Sequence, residues 1–184
     1  MIVLESDRLI IRDNIPSDLQ DHFKLISDEI NMKYLPEIKV STLYGAKKNL
    51  KESIRESKKE NRTKYFFGIV EKRTHCLIGS IGYTVESTIK EQKRVNLGYF
   101  LKKEYWGKGY TTEACREIIK FAFTKDNVIK IETGCLKENY ASEKVMIKSG
   151  MIKEGTLVKH QIHENTWKDR VVYGITKEEW LKSQ

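Results

Sequence analysis

The stretch Tyr105–Ala114, YWGKGYTTEA, constrains the fold more than any other part of the chain. It follows the β-rich run RVNLGYFL and leads into Ala114, Cys115, Ile118, Ile119 and Ala122, apolar positions spaced to share one face of a helix. Gly107 and Gly109 therefore stand where a strand turns into a helix. The first turn of such a helix has backbone N–H groups without intrahelical acceptors, at the positive end of the macrodipole, and both features favour an anion. The pattern predicts a phosphate-holding turn, with a purely structural tight turn as the plainer alternative.

Elements on either side alternate between strand and helix. DRLIIR (Asp7–Arg12) reads as a strand, and Pro16 opens a segment whose Leu19, Phe23 and Ile26 share a helical face. Pro36 breaks that pattern, Ser41 offers a cap, and a charged helix is expected from Thr42 to about Lys59. YFFGIV from Tyr65, the turn KRTH and CLIGSIGYTV predict a hairpin, its first strand covered on both faces. VIKIET completes a strand–helix–strand unit with the glycine turn. Asn139 is placed to cap a short helix that Gly150 ends, and two strands flank Glu164–Asn165. No repeat or linker interrupts residues 1–184, so the expectation is one domain of α/β type, with a mixed sheet.

A net charge of +8 calls for an anionic partner, which could be nucleic acid, a membrane surface or a polyanionic cofactor. The lysines of AKKNLKESIRESKKENR alternate with Glu52, Glu56 and Glu60 at helical spacings, which suits a solvated helix face better than a nucleic-acid stripe. Cys76, Cys115 and Cys135 include no CxxC pair, so neither a disulfide framework nor a zinc site is expected, and the thiols should be reduced and buried. With no basic leader and no long apolar run, the expected setting is the cytoplasm, without membrane contact.

Four blocks in order, IGSIGYT, LGYFLKKEYWGKGYTTEA, ENYASEKVMIKSGMIKEG and WKDRVVYGITKEEW, with SDRLIIR before them, resemble the GNAT superfamily of acyl-coenzyme-A-dependent N-acyltransferases. The branch resembled contains the ribosomal-protein-alanine N-acetyltransferases. The resemblance implies a curved mixed sheet with helices on both faces, and acetyl-coenzyme A as co-substrate without a metal. The family's pyrophosphate loop runs Gln/Arg-x-x-Gly-x-Gly/Ala; Gly109 matches its first glycine, while Trp106 and Thr111 depart from it. By this likeness the amides of Trp106, Gly107, Lys108, Gly109, Tyr110, Thr111 and Thr112 cradle the pyrophosphate, and the Lys108 side chain adds charge. Tyr99, Phe100 and Leu101 match the segment whose backbone pairs with the pantetheine arm, and Gly98 would permit a bulge there. Asn139 matches a cofactor contact and Ser142 the residue that protonates the departing thiolate.

The reaction implied is attack by a neutral amine on the thioester in a ternary complex, helped chiefly by positioning. Some group must take the amine's proton. Many relatives have Glu where this chain has Asn96, and an amide cannot be a base. Glu86 and Glu132, near strand ends, are the candidates. Asp169 shares strand parity with Trp167, Val171 and Tyr173 and is expected to pair with Arg8 or Arg12. The acceptor would be a protein N-terminus, which needs an open groove, or a small amine; a polyamine would call for a closed, acidic pocket. The competing reading is a non-catalytic acyl-coenzyme-A-binding or ribosome-associated module; an RNA-binding role rests on charge alone, and a homodimer is compatible with the C-terminal hairpin.

Overall fold

The computed structural model describes residues 1–184. The chain forms two compact units, residues 1–84 with 98–117 and residues 85–97 with 118–184. Neither matches a stretch of continuous sequence, because two strands and one helix run through both.

In the first unit β1 (Val3–Glu5), β2 (Leu9–Asp13), β3 (Lys64–Glu71) and the start of β4 (Leu77–Ile89) form an antiparallel meander. The apolar run predicted to be covered on both faces is buried from Phe67 to Glu71. Helices α1 (Leu19–Ser27) and α2 (Leu43–Glu56) supply Leu25, Ile26 and Ala46 to a core with Met32, Val70 and Leu77, against which Phe100 packs. Thr42, rather than Ser41, caps α2, its hydroxyl accepting from Gly45 N, and the helix ends at Glu56, short of Lys59. Beneath this layer Asp13 and Arg62 form a buried ion pair, Oδ1 to Nη1 at 2.7 Å.

In the second unit β5 (Gln92–Leu101) lies parallel to β6 (Val128–Leu136), joined through α3 (Tyr110–Lys125). The ladder ends at Asn96–Glu132, and the next carbonyl, that of Leu97, accepts the Thr133 hydroxyl instead at 2.8 Å. The register shift of this ladder falls between Lys93 and Arg94, upstream of Gly98. Helix α4 (Tyr140–Lys148) is capped by Asn139, whose side chain accepts from Ser142 N, and is followed by Gly150 at φ +85°. Strand β8 (Thr166–Thr176) is antiparallel to both β6 and β7 (Ile152–His163), and α5 (Lys177–Lys182) opens on a Thr176–Glu179 capping box. The sheet order is β1-β2-β3-β4-β5-β6-β8-β7.

One pairing differs from expectation. Asp169 does not meet Arg8 or Arg12, which bind Glu113 and Asp18. Its carboxylate accepts from Lys159 N at 3.0 Å, where the β7–β8 register shifts between Leu157 and Gln161 and Lys159 takes φ +49°. The bulge leaves a backbone donor off the ladder, and Asp169 satisfies it. Cys115 and Cys135 are buried thiols, while Cys76 is half-exposed.

Candidate active site

In the first unit the glycine turn has the backbone that its composition predicts. Gly107 and Gly109 take φ +72° and +82°, values that strain a residue bearing a Cβ. The first bond of α3 runs from Glu113 N to Gly109 O, so the amides of Tyr110, Thr111 and Thr112 have no intrahelical acceptor. Trp106 commits its amide to Lys103 O and its indole N–H to Leu101 O at 2.7 Å. The run of amides without an acceptor therefore begins at Gly107 rather than at Trp106. Lys108 is exposed on the turn.

Side chains distant in sequence hold this turn. Arg8 lies over the Tyr110 ring at 4.2 Å, donates from Nη1 to Lys108 O at 3.0 Å and pairs with Glu113 at 2.6 Å. Burial pushes the Glu113 carboxyl up, but hydrogen bonds from Ser6 and Arg8 outweigh it and hold the group below its usual range. The Tyr110 hydroxyl donates to buried Glu71 at 2.5 Å, and Thr74 donates to the other carboxylate oxygen at 2.7 Å. The bond between Tyr110 and Glu71 lowers the Glu71 pKa and raises that of Tyr110.

These shifts carry a pH dependence with a definite sign. A depressed carboxyl pKa stabilises the fold above the unfolded value, and the gain is lost as pH falls through the folded value. A raised tyrosine pKa gives stability that is full below the unfolded value and lost as pH rises through the folded one. Melting temperature is therefore expected to fall below pH 4.5 and above pH 10, the ordinary values of the two groups. Tyr110→Phe should shrink both limbs; unchanged limbs in a pH series of melts would remove the pair from this role.

The second unit holds a cavity of about 220 Å³ lined by Asn96, Glu132, Thr133, Glu154, Arg170 and Tyr173, with Val172. Glu132 is pushed up by burial, then held low by Arg94 and Lys130. Lys130 also reaches Glu154 at 2.8 Å. The Tyr173 hydroxyl donates to Glu143 of α4 at 2.8 Å; burial first, and then Glu143, raise its pKa to about 12. Lys153 meets the same carboxylate oxygen at 3.2 Å. Close by in chain order, Ser142 shares a hydrogen bond with the Cys135 thiol, whose pKa burial raises. Glu86 is exposed near the end of β4.

Of the residues singled out in the sequence, the structure places Glu132 in the cavity wall, Asn139 and Ser142 at the start of α4, and Glu86 in an exposed position. Sequence reasoning assigned no site role to Arg8, Glu71, Glu143, Glu154, Arg170 or Tyr173. The strand parity of Tyr173 with Val171 marked it as inward-facing, but nothing local marked the others.

The family model for the GNAT acetyltransferase domain matches residues 8–152, a span that includes the turn, the β5–β6 crossover and α4. The chain belongs to the GNAT acetyltransferase family. It is an acetyl-coenzyme-A-dependent acyltransferase on a mixed α/β sheet. YnaD of Bacillus subtilis (strain 168), an uncharacterized N-acetyltransferase, is 33% identical over 180 residues, which cover 96% of this chain and 98% of that protein. A GNAT acetyltransferase from Bacillus anthracis, of known structure, is 27% identical with a TM-score of 0.81, covering 96% of this chain and 99% of that one. The ribosomal-protein-S5-alanine acetyltransferase of Vibrio fischeri shares the fold, with a TM-score of 0.84 at 24% identity over 98% of this chain and 99% of that one. In the transferase, the open amides run from Gly107 to Thr112, and no helix is long and apolar enough to cross a membrane.

Proposed function

We propose that the transferase moves the acetyl group of acetyl-coenzyme A to a primary amine by direct attack in a ternary complex. Residues 1–184 act as one domain in this reading, since the family model runs through both compact units. The turn Gly107–Thr112 carries the proposal: two positive-φ glycines and a helix start with open amides form an anion cradle. Those amides hold the pyrophosphate, Lys108 adds charge, and the backbone of Tyr99, Phe100 and Leu101 pairs with the pantetheine arm. Asn139 caps α4 and contacts the cofactor.

The amine nitrogen attacks the thioester carbon, the carbon–sulfur bond breaks, and Ser142 passes a proton to the thiolate sulfur while its own hydroxyl is reprotonated from water. Glu132 rather than Glu86 takes the amine's proton, because Glu132 lines the cavity beside Asn96 whereas Glu86 is exposed. Held below its usual range, Glu132 is ionised throughout the neutral region and relays the proton to water. The acceptor is a protein N-terminus or a small amine. Cysteines kept as thiols suit a cytoplasmic setting.

Calorimetric titration with acetyl-coenzyme A and with acetyl-pantetheine, which lacks the pyrophosphate, tests the reading. Binding of the intact cofactor alone is expected; equal binding of both, or of neither, would sink it. Ser142→Ala should lower kcat by about 10²-fold while the acetyl-coenzyme A Kd stays within about twofold. An unchanged kcat in a thiol-release assay would take the serine out of the mechanism.

A further inference from the structure

The ionic bookkeeping of the second unit's cavity is uneven. Both of its glutamates are engaged: Glu132 with Arg94 and Lys130, Glu154 with Lys130. Arg170 is different. Its guanidinium donates only to neutral oxygens, Nη1 to Gln161 Oε1 at 2.9 Å and Nη2 to Gly134 O at 2.8 Å, and no carboxylate pairs with it. It lies close against β6 at Gly134, where a Cβ would clash with the Val171 carbonyl oxygen at 2.5 Å and would also sit 3.1 Å from Arg170 Nε and 3.3 Å from Nη2. The guanidinium is half-buried, fixed at two nitrogens, and keeps further donors of its planar fork for whatever enters the cavity.

Such a site does not suit a polycation. An amine with further ammonium groups would find each cavity carboxylate already paired and one guanidinium opposing it. An amine that carries a carboxylate supplies what the cavity lacks, an anion for a pre-positioned fork. Resting on the acetyl-transfer reading above, we propose that Arg170 selects the acceptor and that the acceptor class is an amine bearing a nearby carboxylate. Two sources offer that chemistry, a chain N-terminus followed by an acidic residue and a small amino acid.

The test uses acceptor pairs that differ only in the carboxylate. One pair is a pentapeptide amide with alanine first and aspartate second, against the same peptide with asparagine second. The other is an ω-amino acid against the alkylamine of equal length; spermidine is added as the polycation. Affinity is measured calorimetrically in the presence of coenzyme A, and turnover by thiol release with acetyl-coenzyme A. The carboxylate member of at least one pair should be preferred by about tenfold or more, and the pair that shows it identifies the source. In Arg170→Gln the preference ratio should fall to near one, and Arg170→Lys, which keeps the charge without the fork, should retain part of it. Equal affinities within both pairs, absence of binding by all acceptors, a preference for spermidine, or a ratio that survives in Arg170→Gln would overturn the assignment. Those results would leave acetyl transfer standing so long as acetyl-coenzyme A binds; loss of that binding in the wild-type protein would instead overturn the underlying reading.

Discussion

Gly109→Val is expected to weaken acetyl-coenzyme A binding by about 100-fold or more, which corresponds to about 2.7 kcal/mol. The cause is the backbone, not crowding. A Cβ at this position would meet nothing closer than Arg8 Nη2 at 3.5 Å, an ordinary contact, whereas φ of +82° is one that a β-branched residue occupies only under strain. Holding it there costs about 1–3 kcal/mol, and relaxing it turns the amides of the α3 first turn away from the cradle. Titration by calorimetry, with a thermal melt to establish that the variant is folded, measures the effect. A folded variant with wild-type affinity would mean that Gly107–Thr112 is a turn and nothing more.

The largest effect on stability should come from Asp13→Ala, at about 3–5 kcal/mol. Arg62 and Asp13 expose 5% and 3% of their side chains, so removing the carboxylate strands a guanidinium away from water. What remains around Arg62 is the carbonyl of Lys64, accepting from Nε at 3.0 Å, and the faces of Tyr65 and Phe67 at 4.5 and 5.1 Å. None of these replaces an anion. Asp13 also accepts from Ile2 N at 2.7 Å, so β1 should loosen with it. The double change Asp13→Leu, Arg62→Leu should cost less than the single one, because it leaves no unpaired charge. Urea unfolding of the three proteins separates the terms; a double variant as unstable as Asp13→Ala would show that shape rather than charge dominates at this position.

What was legible in the sequence was what adjacent residues determine. The strand-to-helix turn at Gly107 and Gly109, the β3–β4 hairpin and the Asn139 cap each follow from a few neighbouring residues whose spacing matches one backbone period. Asn139 Oδ1 accepts from Ser142 N, three residues away. The features that were missed depend on partners brought together by the sheet. Arg8 and Glu113 are separated by 105 positions and Tyr110 and Glu71 by 39, and no periodicity relates the members of either pair. Arg170 owes its surroundings to Gly134 across a ladder, so its role is visible only once β6 and β8 are aligned. The misreading of Asp169 has the same origin: strand parity could not show that Lys159 would leave the ladder and need an acceptor. Strand β1 was missed because three residues are too short a run for a period to register.

The sheet order has a consequence for how the chain comes into being. Strands β1 to β4 pair each with the next, so this meander can assemble as the residues leave the ribosome. The other half cannot, because β8 lies between β6 and β7 although it is made after both. Until β8 inserts, β6 presents a bare edge, and the cavity lacks Arg170, Val172 and Tyr173, three of its seven lining residues. A nascent chain stalled before β8 would thus have completed its glycine turn while its cavity still lacked a wall, and its exposed β6 edge would make it a substrate for chaperones.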